Sequence, residues 1–243
     1  SRGLGDVYKR QMRYKNGTNV KNNGIVYTPK DMATFLAGEI LSNTKSFPVG
    51  GVITVLDPAI GDGELVVALV NQIYDLLPET NIIIDGFETD TKQSIATKER
   101  LRRTFPNALI EIHNWDFLDS ADYIGKKYDF IIANPPYVRT QILGAERAQE
   151  IAKKMRLNGR VDIYYAFLLY AKILLKSNGV AGYITSNKFL TIKSGASVRE
   201  YMLNNYQIYS IVDFGDTKLF SASVLPCIIT FALGKTENTD DVA

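Results

Sequence analysis

A chain of 243 residues, 46% of them hydrophobic, is long enough to bury the core of one globular domain, and a net charge of +2 leaves any nucleic-acid surface to local patches rather than bulk charge. A single cysteine, Cys227, excludes an intrachain disulfide and a cysteine-built zinc site, and the single histidine, His113, fits a satisfied structural role better than a Ser-His-Asp centre. No apolar run reaches membrane-spanning length and no signal-peptide pattern is legible, so a cytoplasmic protein is expected.

Residues 1–23 carry mixed charge and no hydrophobic period, and are expected to lie outside the fold; residues 1–11 resemble a translated sequencing adapter. One domain is expected over residues 24–235, followed by a polar tail at 236–243. Its first element is a helix after Tyr27. Thr28 is expected as N-cap, Pro29 at the first helical position and Asp31 as the capping-box partner, ahead of Met32, Phe35, Leu36, Ile40 and Leu41 at helical spacing.

Residues 52–56 (VITVL) read as a buried strand. Asp57-Pro58-Ala59-Ile60-Gly61-Asp62-Gly63 follows, then a helix over 64–77. Glycines at a strand-to-helix turn let a ligand approach the backbone closely. The dinucleotide fingerprint is excluded because Val66 stands where its third glycine belongs, and a P-loop because no Gly-Lys-Ser/Thr is present.

A second strand over 81–87 ends at Glu88, whose carboxylate is placed to take both hydroxyls of a ribose, while Asp90 reads as the cap of a helix over 91–104. A third strand over 108–113 leads to Asn114-Trp115-Asp116-Phe117. The fourth strand, 128–133, stops abruptly at Asn134-Pro135-Pro136-Tyr137, since prolines cannot donate to a ladder. The Asn134 amide oxygen and the Pro135 carbonyl are two acceptors, and Tyr137 is a flat face; together they suit a planar molecule bearing an NH2 group. Residues 138–160 form a locally basic segment (Arg139, Arg147, Lys153, Lys154, Arg156, Arg160), equally readable as a phosphate contact or a solvated helix face. A buried helix over 162–175 ends at Ser177-Asn178-Gly179; a strand at 180–185, a helix at 194–204 and strands at 207–213 and 225–233 complete the chain.

Asn-Pro-Pro-Tyr after an apolar strand resembles motif IV of the S-adenosylmethionine-dependent amino methyltransferases, and Asp57-Pro58-x-x-Gly61-x-Gly63 resembles their motif I. The order of motifs is similar to the N6-adenine DNA methyltransferases of restriction-modification systems; protein-glutamine and RNA-guanine amino methyltransferases share the corner. The resemblance covers residues 24–233, including Asp162-Ile163-Tyr164-Tyr165 and Val212-Asp213-Phe214-Gly215.

The resemblance implies an α/β, Rossmann-like fold: a doubly wound, mostly parallel seven-stranded sheet with an antiparallel last strand. It implies S-adenosyl-L-methionine as cofactor and no metal. Tyr27 and Thr28 would touch its methionine end; Asp57, Pro58, Ala59, Gly61, Gly63 and Asn134 would cradle it; Glu88 would hold the ribose; Asp116 and Phe117 would hold the adenine. Asn134, Pro135 and Tyr137 would act on the target base, with Phe220 stacking on its other face and Phe214 as the competing candidate. The implied partner is double-stranded DNA, and the family's DNA-reading domain, which normally follows, is expected to be missing here.

Overall fold

The computed structural model describes residues 28–48, 51–136, 149–150, 152–153, 162–215 and 225–235. Seven strands, β1 (Val52–Asp57), β2 (Asn81–Phe87), β3 (Leu109–His113), β4 (Tyr128–Ala133), β5 (Leu175–Ser186), β6 (Tyr206–Asp213) and β7 (Pro226–Leu233), form one sheet in the order β3-β2-β1-β4-β5-β7-β6. Strands β1 to β5 pair in parallel, and β7 runs antiparallel between β5 and β6. This is the expected doubly wound sheet with an antiparallel last strand. Among the described residues, no helix is long and apolar enough to cross a membrane.

The central strands are apolar on both faces because helices cover both. Alternate side chains sort into two cores. Ile53 and Val55 of β1, Ile82 and Ile84 of β2 and Phe130 and Ile132 of β4 meet α1 (Lys30–Ser42), α2 (Glu64–Leu76) and α3 (Thr91–Thr104). Leu56, Ile131, Ala133, Ala181 and Tyr183 face the other way, toward α5 (Ile163–Leu174) and α7 (Ala196–Asn205). Two single turns, α4 (Phe117–Ser120) and α6 (Lys188–Thr191), lie in the connections. Ten of the twelve α5 residues are buried, as its nearly all-apolar sequence requires. Cys227 lies in the core beside Thr185, and burial pushes its thiol up to about 12.

Two boundaries differ from expectation. Helix α1 begins at Lys30 with Pro29 as N-cap and no side-chain cap. Thr28 therefore stands one residue before the cap, and its hydroxyl accepts a hydrogen bond from the Asn134 side-chain amide at 3.0 Å. At the other place, Ser177-Asn178-Gly179 does not end a helix. Helix α5 stops at Leu174, and β5 starts at Leu175 and runs straight through the glycine. The β4–β5 register shifts between Tyr128 and Phe130, and a Cβ at Gly179 would stand 2.8 Å from the Asp129 carbonyl. Glycine is there for close backbone approach in a bulged ladder, not for chain reversal.

Gly182 of β5 does the same for a helix. A Cβ there would come within 2.7 Å of Leu36 and of Ile40, the two residues by which α1 sits on the sheet. Gly182→Val is therefore expected to destabilise the fold by about 1–3 kcal/mol through overpacking, read as a lower urea midpoint at unchanged slope.

Candidate active site

The strand order reverses at β1, which pairs with β2 on one side and β4 on the other. In open α/β sheets the crevice outside the carboxyl ends at such a point is where ligands bind. A cavity of about 360 Å³ lies there, lined by Thr28, the Ala59–Leu65 turn apart from Gly63, Glu88, Asp90, the start of α3 and Asn134.

The turn after β1 explains its own sequence. Asp57 is fully buried, and one carboxylate oxygen accepts the Ala59 N–H at 2.9 Å. Its other oxygen has no partner among the described residues. Gly61 and Gly63 lie at φ 51° and 80°, conformations that a side chain would strain. Gly63 also meets the Thr97 methyl, where a Cβ would lie at 3.2 Å. Helix α3 braces the loop from the side. Thr97 and Gln93 both donate to the Gly61 carbonyl, Arg100 donates to the Asp62 carbonyl at 2.7 Å, and Arg100 pairs with Glu64.

Glu88 lines the cavity, with one oxygen accepting the Asp90 N–H at 2.8 Å. Asp90 caps α3 by accepting from the Gln93 N–H, as the sequence suggested, and lines the cavity as well. From β4, Asn134 enters the same cavity, its amide nitrogen donating to the Thr28 hydroxyl at 3.0 Å. That bond joins positions 106 residues apart and sets which end of the amide faces α1. Pro135 is buried beside it.

Thr28, Ala59, Gly61, Glu88 and Asn134 thus converge as expected, while Asp57, Pro58 and Gly63 are buried beneath them and do not line the cavity. Two expected positions do not line this cavity. Asp116 caps the short α4, accepting the Leu118 N–H at 2.9 Å. The Phe117 ring is 3% exposed, stacks on Phe167 at 5.2 Å and meets Phe87 and Tyr170 edge-on. The apolar side of the α5 layer claims it. Phe214 packs edge-on against Phe35 of α1. Tyr27, Tyr137, Phe220 and all but a few residues of the basic 138–160 segment lie outside the described residues. The sequence reading missed Asp62, Lys92, Gln93 and Ala96, which also line the cavity. Only Asp62, between two glycines, carried a local signal.

Burial pushes the Asp57 carboxyl up to about 8, the Ala59 N–H opposes that shift, and the charges of Glu88 and Asp62 add to it. An unfolded aspartate titrates near about 3.9. Between those values the folded chain holds the extra proton, so the cost of Asp57 to stability grows as pH rises from about 4 to about 8 and is complete above that. Asp57→Asn keeps the acceptor for Ala59 and removes the buried charge. It is expected to raise the melting temperature by several degrees near pH 9 and by clearly less near pH 5; an equal gain at both would contradict the shift.

A family model described as Eco57I restriction-modification methylase matches residues 65–220. The chain is 40% identical over 222 residues to the type II methyltransferase M.BanIII of Aneurinibacillus aneurinilyticus, covering 86% of this chain and 38% of that protein. It is 28% identical to M.BstVI of Geobacillus stearothermophilus, covering 89% of this chain and 43% of that protein. The chain therefore spans less than half the length of these relatives. In fold it resembles the methyltransferase subunit of a type I restriction-modification system from Streptococcus thermophilus, with a TM-score of 0.68, 20% identity and coverage of 89% of this chain and 46% of that one.

Proposed function

Because the chain belongs to the Eco57I restriction-modification methylase family, we propose that it transfers a methyl group from S-adenosylmethionine to the N6 atom of an adenine flipped out of double-stranded DNA. One observation carries this reading: Asn134 and the glycine turn, 73 residues apart from Gly61 to Asn134, open into the same cavity. A donor cradle and a polar corner that suits an amino group are thus within reach of each other.

The residues present fit the cofactor. Gly61 exposes backbone at the cavity wall, Glu88 offers a carboxylate to ribose hydroxyls, and Thr28 stands just before the N-terminus of α1, which suits a carboxylate. Asp57, buried beneath the turn, contributes by holding the Ala59 N–H and so the shape of the loop. Asp116, which follows β3 as Glu88 follows the neighbouring β2, is the proposed acceptor for the adenine amino group. When bound, S-adenosylmethionine supplies an electrophilic methyl group on a sulfonium.

The remaining work belongs to the chain. An adenine N6 lone pair is delocalised into the ring. The Asn134 oxygen and the Pro135 carbonyl would accept from the two N6 hydrogens and favour a pyramidal nitrogen with an available lone pair, and the methylated nitrogen would then release one proton to solvent. The two prolines hold both acceptors still, and held geometry of this kind contributes on the order of 7–11 kcal/mol. Thr28 acts through Asn134 as a positioning residue, fixing its amide. Flipping a base costs a few kcal/mol, which stacking worth about 1–3 kcal/mol per base on Tyr137 and Phe220 would offset.

The test is transfer of labelled methyl from S-adenosylmethionine into methylation-free duplex DNA, with nucleoside analysis and RNA and release-factor protein as parallel acceptors. Labelled N6-methyladenine is expected; label confined to RNA or protein would overturn the acceptor, and failure to bind S-adenosylhomocysteine would overturn the methyltransferase reading of this chain. Asn134→Ala is expected to lower transfer by about a hundredfold or more while S-adenosylhomocysteine still binds. Thr28→Val should cost roughly tenfold, the value of about one buried hydrogen bond, and Thr28→Ser should recover most of it.

A further inference from the structure

A second cluster of ionisable groups lies away from this cavity, on the face of the sheet opposite α3. Asp85 of β2 is the register partner of Glu111 of β3, and Phe87 that of His113. Glu111 and His113, two residues apart, share a face of β3 because side chains alternate along a strand. One ligand-type atom from each of Asp85, Glu111 and His113 lies within 4.8 Å of the others. Asp85 and His113 also line a cavity of about 220 Å³, with Trp115, Tyr123 and Lys126 at its walls.

Ion pairing alone leaves this cluster unbalanced. Asp85 is 1% exposed, and one of its oxygens has no hydrogen-bond partner among the described residues. Its other oxygen accepts the Tyr128 hydroxyl at 2.6 Å and meets the Lys126 ammonium at 3.3 Å. Lys126 is shared with Glu111 at 2.9 Å, and its side chain is 53% exposed. One half-exposed ammonium serves both Asp85 and Glu111, and a lysine so exposed can swing into solvent. A buried carboxylate left partly unpaired is costly.

We propose that Asp85, Glu111 and His113 bind one divalent first-row cation, zinc being the best match, with Lys126 as the resident counter-charge that the ion displaces. One imidazole and two carboxylates are a donor set that zinc accepts at bond lengths of about 2.0–2.2 Å. The cavity leaves room for water to complete the coordination. A divalent ion would neutralise both carboxylates and satisfy the orphaned Asp85 oxygen, which Lys126 does not reach. The site is separate from the proposed methyl-transfer machinery, so its fate does not depend on that reading.

The chain carries its own probe, since Trp115 is the only tryptophan and lines this cavity. The chain freed of metal by chelator is titrated with Co²⁺ alone and with Zn²⁺ alone, following Trp115 fluorescence, Co²⁺ visible absorption and bound metal after dialysis. One equivalent is expected to bind with quenching by Co²⁺. Glu111→Gln and His113→Ala should each weaken binding by roughly tenfold or more, with circular dichroism confirming that both remain folded. Lys126→Met, which removes the competing ammonium, should tighten it. No binding by the unaltered chain, or binding that neither ligand variant weakens, would overturn the site; weaker binding by Lys126→Met would overturn the displacement.

Discussion

The pairing of β1 with β2 on one side and β4 on the other is the constraint on which the rest of the molecule depends. Parallel strands leave their carboxyl ends on one edge of the sheet, and the reversal of order at β1 keeps the connections that follow from closing over that edge. The β1–β4 side of this junction is held by few ladder positions but by a half-buried side-chain clamp. Asp129 of β4 accepts the Thr54 N–H at 2.8 Å, the Thr54 hydroxyl at 2.7 Å and the Lys176 ammonium at 2.7 Å. The clamp sits where the β4–β5 register shifts, and the carboxylate satisfies the Thr54 N–H, a backbone donor that the ladder would otherwise take.

At the open edge the chain spends stability on function. Asp57 would be cheaper as an apolar residue: it is buried, half-satisfied and shifted toward its protonated form. The loop it supports is held in left-handed conformations and braced by three side chains of α3. Local rules broken at one place and compensated from another element are what a binding site looks like in physical terms. The Thr28–Asn134 bond is the same device on the other wall, where α1 goes without a side-chain cap and Thr28 controls an amide. Here the cost to α1 is small, because Leu36 and Ile40 already seat the helix on Gly182.

The face of the sheet that α5 covers is richer in aromatics, and it explains where Phe117 went. Phe87, Phe117, Phe167 and Tyr170 form one contact chain between β2 and α5. Beyond it, toward the β3 edge, the cover thins, and the alternation of strand side chains delivers Asp85, Glu111 and His113 to that same face. Polar residues at core-facing positions of an edge strand are tolerable only with partners, which is why Lys126 is found over them.

The sequence by itself determined most of the architecture and the position of the glycine turn that lines the cavity. Apolar strands such as Asn81–Phe87, the abrupt stop at Asn134-Pro135 and the glycines at 61 and 63 are local signals whose physics acts within a few residues, and each stands where it was expected. Tertiary structure decided what needed partners from afar. Thr28 looked like a cap until Pro29 took that place and Asn134 met its hydroxyl, Ser177-Asn178-Gly179 looked like a turn until the β4 backbone came alongside, and Phe117 looked available until Phe167 covered it. His113 read as a lone histidine because Asp85 joins it and Glu111 only through the pairing of β2 with β3, which no local pattern records. Short-range preferences write the elements into the chain, but which side chains meet across them is fixed only when distant strands pair and their faces are filled.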